Sequence, residues 1–207
     1  MREFEAILFD FDGVLVDSEP VHYECWSEVV KPYGLSLTWD DYVRNCVGVA
    51  DKAMIQALCD IFHRGDLFDE IWAKYGWKKA MFRERMIQNV PMPESTKEML
   101  RSLEGYRLAV VSSSGRQEIE PALEAAGVRP LFETIVSGEE VAKLKPDPEP
   151  YKTAANRLGV TRALVVEDSE AGIASGTAAG FEVLRVPSAE STAELLRKRL
   201  GIWGPDA

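Results

Sequence analysis

Five short apolar runs, Glu5 to Phe9, Leu108 to Val111, Thr134 to Val136, Ala163 to Val166 and Glu182 to Val186, leave few architectures open to this chain. Runs of this length read as strands. Between the last four lie segments with helical spacing, Glu118 to Ala126, Pro148 to Leu158 and Glu170 to Ala179, and Ser191 to Leu200 follows the last run. Strand and helix in alternation predict a parallel sheet with both faces covered. Gly127, Gly159 and Gly180 each follow a helical stretch, where a left-handed cap is needed.

The first run breaks the alternation. After Asp17 some seventy residues pass with amphipathic helical patterns and no convincing strand, so a helical domain is expected as an insertion, at about 17–91. Pro20 suits the first turn of its first helix, Pro32 and Gly34 end that helix, and Pro91-Met92-Pro93 reads as a return hinge. The insert holds Trp26, Trp39, Trp72 and Trp77, which are expected to pack it against itself and the core.

Composition narrows the partners. A net charge of −10 argues against a reader of nucleic-acid backbone, whose affinity rests on clustered Lys and Arg. No apolar run approaches the ~20 residues of a membrane span, and the N-terminus lacks a basic, cleavable signal. Cys25, Cys46 and Cys59 form neither a CxxC pair nor a zinc pattern and read as buried reduced thiols. A cytoplasmic protein is expected, with no nucleic-acid or membrane partner, working as a monomer or weak homodimer.

The chemistry is expected where the strands end, because ligands of open parallel sheets bind at the carboxyl ends near a topological switch. The first run leads into Asp10-Phe11-Asp12-Gly13, the second into Ser112-Ser113-Ser114-Gly115 and the fourth into Glu167-Asp168-Ser169, while Lys145-Pro146 precedes the helix that leads to the fourth. Carboxylates from two strand ends supply the hard oxygens that Mg²⁺ prefers, so Asp10 and Asp168 are the first-choice side-chain ligands. Ionised Asp10 suits attack on phosphorus, and Asp12 suits proton transfer to the leaving oxygen and later from water. Lys145, Ser112 and backbone N–H groups near Phe11, Asp12 and Ser113 are placed to hold phosphoryl oxygens. Arg116 is a candidate for a substrate's distal acid or phosphate.

These segments, Asp10 to Ser18, Val110 to Ser112, Lys145-Pro146 and Val166 to Gly172, resemble the four ordered motifs of haloacid-dehalogenase superfamily phosphatases, and the resemblance spans almost the whole core. It implies an α/β fold, a Rossmann-like doubly wound parallel sheet over 1–16 and 92–207 with an α-helical cap domain over 17–91. It also implies Asp10 as nucleophile, Asp12 as acid and base, and Mg²⁺ held by Asp10, the Asp12 carbonyl and Asp168. Glu167 matches a position that in some relatives helps ligate or orient the metal. The insert is similar to the family's helical caps, which close over small substrates, and Cys46 to Lys52 resembles their substrate-facing glycine loop. That loop departs from the mutase pattern: Asp51 stands where β-phosphoglucomutases place an arginine, and Val47 where they place a lysine. His22 matches a histidine that helps gate the mutase, although a single histidine on a first helix also reads as structural.

The reading that follows is a Mg²⁺-dependent phosphatase acting on a small phosphorylated metabolite, a sugar phosphate or phosphorylated sugar acid, through an aspartyl phosphate. Phosphoglucomutase-like transfer and a catalytically silent phosphate-binding protein are the alternatives. A dehalogenase is disfavoured, because Asp12 and the Glu167-Asp168 pair belong to the metal-dependent members.

Overall fold

The computed structural model describes residues 2–47, 49 and 51–202, and the chain divides into two compact units, 1–17 with 87–207, and 18–86. Strand β1 (Ala6–Phe9) leads into five helices: α1 (Glu19–Val30), α2 (Trp39–Asn45), α3 (Asp51–Ile61), α4 (Phe68–Trp72) and α5 (Tyr75–Gln88). There follow α6 (Glu94–Ser102), β2 (Arg107–Val111), α7 (Arg116–Ala125), β3 (Thr134–Val136), α8 (Glu149–Leu158), β4 (Ala163–Glu167), α9 (Glu170–Ala178), β5 (Glu182–Arg185) and α10 (Ala189–Leu200).

All five strands run parallel in the order β3-β2-β1-β4-β5, with Leu8 opposite both Ala109 and Val165. Parallel neighbours need crossovers, so helices lie against the sheet and the central strands are buried on both faces. All four residues of β1 and all five of β4 are buried. Ala6, Leu8, Ala109, Val111 and Val165 pack with Tyr151, Ala154 and Leu158 of α8. Ile7 and Phe9 alternate to the other face, where Phe9 meets the Phe132 ring edge-on at 6.2 Å. Because β1 lies between β2 and β4, the chain changes direction across the sheet beside it, and the carboxyl ends of β1 and β4 flank the switch.

The strands fall within a residue of their expected bounds. Glu5 lies just ahead of β1, its N–H donating to Arg162 O at 2.9 Å, its carbonyl accepting from Arg107 N–H at 3.1 Å and its carboxylate accepting the N–H groups of Thr161 and Arg162. One helix was not anticipated: α6, which buries Thr96, Met99 and Leu100 just after the stretch read as a hinge.

The helical unit has its own core. Trp26, Tyr42, Ile55, Leu58 and Ile71 are buried together, with Cys46 and Cys59 among them. Of the other tryptophans, Trp72 packs on this cluster and stacks on Tyr75 at 4.9 Å, while Trp39 and Trp77 are 42% and 51% exposed. Pro20 lies in the first turn of α1, and Gly34 closes the short turn after it with φ +74°. In the segment Cys46 to Lys52, Gly48 and Ala50 lie outside the described residues. Among the described residues no helix is long and apolar enough to cross a membrane.

Candidate active site

Asp10 follows β1 directly, and its backbone N–H donates to the Val166 carbonyl of β4 at 3.0 Å, so the ladder itself sets its position. The next six residues fold back tightly: Leu15 N–H donates to Phe11 O, and Gly13 N–H to Val16 O at 2.8 Å. Gly13 takes φ +76°, and a Cβ there would overlap Oδ2 of Asp168. Only glycine lets this turn lie against the Asp168 carboxylate just beyond β4.

Lys145 enters from the loop before α8. The Lys145–Pro146 peptide is cis, and the loop is held by Ala142 and Lys143 N–H groups donating to Glu149 and by Ser175 donating to Asp147 O at 2.6 Å. The Lys145 ammonium donates to Asp10 Oδ1 at 2.7 Å, Glu167 Oε1 at 2.6 Å and Val111 O at 2.9 Å, which satisfies its three N–H groups. Its neighbour Lys143 is 72% exposed and pairs with Asp147.

Glu167 is fully buried, and both its oxygens are engaged. Oε1 accepts from Lys145 and from the Tyr151 hydroxyl at 2.8 Å; Oε2 accepts from the Asp168 and Ser169 N–H groups and the Ser169 hydroxyl at 3.0–3.1 Å. A Cβ on Gly172 would overlap this carboxylate. Glu167 lies close enough to share a cation with Asp10 and Asp168, since one oxygen of each falls within 4.8 Å of the others. Its donors already occupy the roughly four lone-pair sites of a carboxylate, however, so its geometry suits orienting Lys145 rather than ligation.

The charges sort by environment. Burial raises the Asp10 carboxyl well above the ordinary carboxylate range, with Glu167 and Asp12 adding to it and Lys145 opposing. Burial and then Glu167 raise Asp168 to about 6. Glu167 goes the other way: burial pulls it up, but Lys145, Tyr151 and the backbone donors outweigh that and hold it ionised. Lys145 is pulled down by burial and held above the ordinary lysine range by Asp10 and Glu167.

Two acids forced upward beside one lysine make a site short of positive charge, and the available donors are hard oxygens. With one oxygen each of Asp10, Glu167 and Asp168 within 4.8 Å of the others and Gly13 packed against Asp168, this set fits Mg²⁺.

Of the remaining candidates, Ser112 is buried, its N–H bonds Val136 O at 3.0 Å, and its hydroxyl accepts from Ser114 N–H at 3.0 Å. Ser113 follows at the strand end and is exposed. Asp12 Oδ2 accepts from the Ser114 hydroxyl at 2.8 Å. Arg116 is not brought to this cluster. Its guanidinium donates to Ile135 O, Glu140 and Glu120, so the distal substrate contact expected of it gives way to an ion-pair network that joins α7 to the turn after β3. Within the helical unit His22 stacks on Phe82 at 4.0 Å beside the Lys78 ammonium. Burial and that lysine hold its pKa well below the ordinary histidine range.

Two residues of this arrangement escaped the sequence reading. Tyr151 looks like any core aromatic of an amphipathic helix, and Ser114 like one more turn serine. Nothing in their sequence context marks the hydroxyls as partners of Glu167 and Asp12.

The model of the haloacid dehalogenase-like hydrolase family matches residues 7–186. A phosphorylated carbohydrates phosphatase of Thermotoga maritima is 31% identical over 181 residues, covering 86% of this chain and 82% of its own. A fructose-1-phosphate phosphatase of Escherichia coli is 29% identical over 189 residues, covering 89% of this chain and 97% of its own. Among solved structures, a hydrolase of the same family from Deinococcus radiodurans, with bound phosphate and sodium, superposes with a TM-score of 0.73 at 31% identity, covering 97% of this chain and 90% of its own.

Proposed function

The chain belongs to the haloacid dehalogenase-like hydrolase family, and on that premise we propose that it is a Mg²⁺-dependent phosphatase of a small phosphorylated sugar or sugar acid. The observation that carries this reading is the meeting of Asp10, Lys145 and Asp168 at the ends of β1 and β4, with Asp12 on the turn between. Relatives whose names specify phosphorylated carbohydrates and fructose 1-phosphate support the substrate class.

In the proposed reaction an oxygen of Asp10 attacks phosphorus while the bond to the leaving oxygen breaks and Asp12 gives that oxygen its proton. The aspartyl phosphate is then hydrolysed by a water whose proton Asp12 takes back, which releases inorganic phosphate and regenerates Asp10. Lys145 holds one oxygen of Asp10, leaving the other for attack, and its positive charge answers the charge that builds on the phosphoryl group. Ser112 lies at the end of β2, where its hydroxyl suits a phosphoryl oxygen. Glu167 orients Lys145. Mg²⁺, held by Asp10, the Asp12 carbonyl and Asp168, would supply further neutralising charge.

The helical insert is assigned the choice of substrate. Asp51, at the position where mutases carry an arginine, accepts a hydrogen bond from Tyr75, and a carboxylate there repels a second phosphate rather than holding it, which weakens the case for mutase-like transfer.

The test is phosphate release by purified protein across phosphorylated metabolites, with and without Mg²⁺, using Asp10→Asn as the blank. Metal-dependent release that the blank lacks is expected. Release by Asp10→Asn at the wild-type rate would remove Asp10 as nucleophile, and silence of the wild type across the panel would defeat the phosphatase reading.

A further inference from the structure

We propose that Ser114 is a positioning residue for proton transfer, holding the carboxylate of Asp12 so that one oxygen faces the leaving group; this rests on the acid and base role given to Asp12 above. The two residues are 102 apart in sequence, and the Ser114 hydroxyl donates to Asp12 Oδ2 at 2.8 Å. Such a bond between distant loops holds its geometry only if both backbones are fixed, and both are. Ser114 N–H donates to the Ser112 hydroxyl at 3.0 Å, and Ser114 O accepts from Gly138 N–H at 3.1 Å. The second bond requires close backbone approach: a Cβ at Gly138 would overlap Ser113 O, so glycine is what admits the turn after β3 to this loop. Asp12 sits on the tight turn closed by Gly13 and Val16, with a bridge pairing Asp12 and Val16 themselves.

The ordinary explanation of a serine just before a helix is capping. Here the N-cap of α7 is Gly115, which makes no side-chain cap bond, and the Ser114 hydroxyl reaches Asp12 instead of the helix end. A carboxylate on a short side chain rotates about two torsions. Anchoring Oδ2 selects one orientation of the carboxyl group that carries the proton toward the leaving oxygen. Ser114 acts through Asp12 and does not itself exchange a proton with substrate.

Leaving-group dependence tests this directly. A p-nitrophenolate departs as a stable anion and needs little help from an acid, whereas an unsubstituted phenolate needs a well-placed proton. A series of aryl phosphates varies this demand at nearly constant size. The parameter to follow is kcat/KM, because it reports the step in which the leaving group departs and not the later hydrolysis shared by every substrate.

In Ser114→Ala, kcat/KM for phenyl phosphate should fall about tenfold while that for p-nitrophenyl phosphate falls less than about twofold, the loss expected of one hydrogen bond that matters only when a proton must move. Ser114→Thr, which keeps the hydroxyl, should restore the wild-type slope. A parallel fall across the whole series would overturn the proposal, because it would mean that Ser114 touches the phosphoryl group or merely supports the loop. Asp12→Asn, run alongside, separates the two readings: it should steepen the series more than Ser114→Ala. A flat response in Asp12→Asn would refute the role of Asp12 itself. A steep response there with an unchanged slope in Ser114→Ala would refute only the role of Ser114.

Discussion

Asp10 is enclosed by protein, lies near two other acids and is answered by one ammonium, so its ionised form is disfavoured, with burial as the largest cause. A carboxyl whose folded pKa is raised contributes stability while it is protonated and loses that contribution as pH rises through the folded value. At pH values above it, the metal-free protein therefore holds a destabilising charge at the point where a nucleophile is needed. Asp10→Asn keeps the acceptor for Lys145 and removes the charge. In metal-free buffer it should melt above the wild type by about 2–4 °C, the shift that ~1 kcal/mol makes in a chain of this size, while its turnover is abolished. Calorimetry of both proteins in chelator checks this, and a lower melting temperature for the variant would mean that the Asp10 charge is net stabilising. The acids and lysine of this site were legible in the sequence because each is a polar residue placed where an apolar strand stops, or on a loop that leads into one. The hydroxyls that orient them were not, since Tyr151 is also a core residue and Ser114 also a turn residue, and only their distant partners reveal the second task.

Among secondary elements the same division appears. Buried parallel strands are apolar runs, so all five were readable, and the crossovers that parallel neighbours require made the alternating helices readable too. The helix α6 was hidden because its buried set, Thr96, Met99 and Leu100, is short and follows two prolines that read as a hinge. The turn Gly138–Glu140 was equally silent, yet it ties three elements together. Glu140 accepts from Arg116 of α7 at 2.9 Å, from Arg157 of α8 at 3.1 Å and from the N–H and hydroxyl of Ser137 at 2.9 and 3.0 Å. Burial pulls its pKa up, but the Ser137 and Arg116 bonds outweigh that and hold it at about 2, against 4.5 for a free glutamate. A depressed carboxyl contributes stability that is present above the unfolded value and lost as pH falls toward the folded one. The side chain is 26% exposed, so solvent screening trims the effect, and Glu140→Gln should cost about 1–2 kcal/mol at neutral pH. Urea titrations should show this gap between variant and wild type shrinking as pH falls from 4.5 toward about 2. A gap that stays constant with pH would show that the glutamine loses packing or geometry rather than charge.

For the whole molecule, the relevant fact is that a chain of net charge −10 gathers Asp10, Asp168 and Glu167 around one lysine. The sequence pattern predicts an insert at 17–91 and the compact helical unit spans 18–86; Asp10, Glu167 and Asp168 all belong to the larger unit, so a cation at these acids would bind that unit. Ligation requires Asp10 ionised, against the burial that raises its pKa, and likewise Asp168. The Asp168 folded pKa of about 6, raised by burial and then by Glu167, means that its own contribution to stability is present below the unfolded value of 3.8 and is lost as pH rises through about 6. Mg²⁺ acts in the opposite direction, because it binds the form that burial disfavours. Its stabilising effect should thus be weak at pH 5 and strong at about pH 7.5, where a hundredfold excess over Kd contributes ~2.7 kcal/mol, or roughly 5–10 °C. If the two units melt separately, the shift belongs to the transition of the larger one. Asp168→Asn should lose most of the shift while Na⁺ at matched ionic strength produces none in either protein. A shift that persists undiminished in Asp168→Asn would place the cation elsewhere on this acidic surface, and one that does not vary with pH would show that proton release from Asp168 is not coupled to binding.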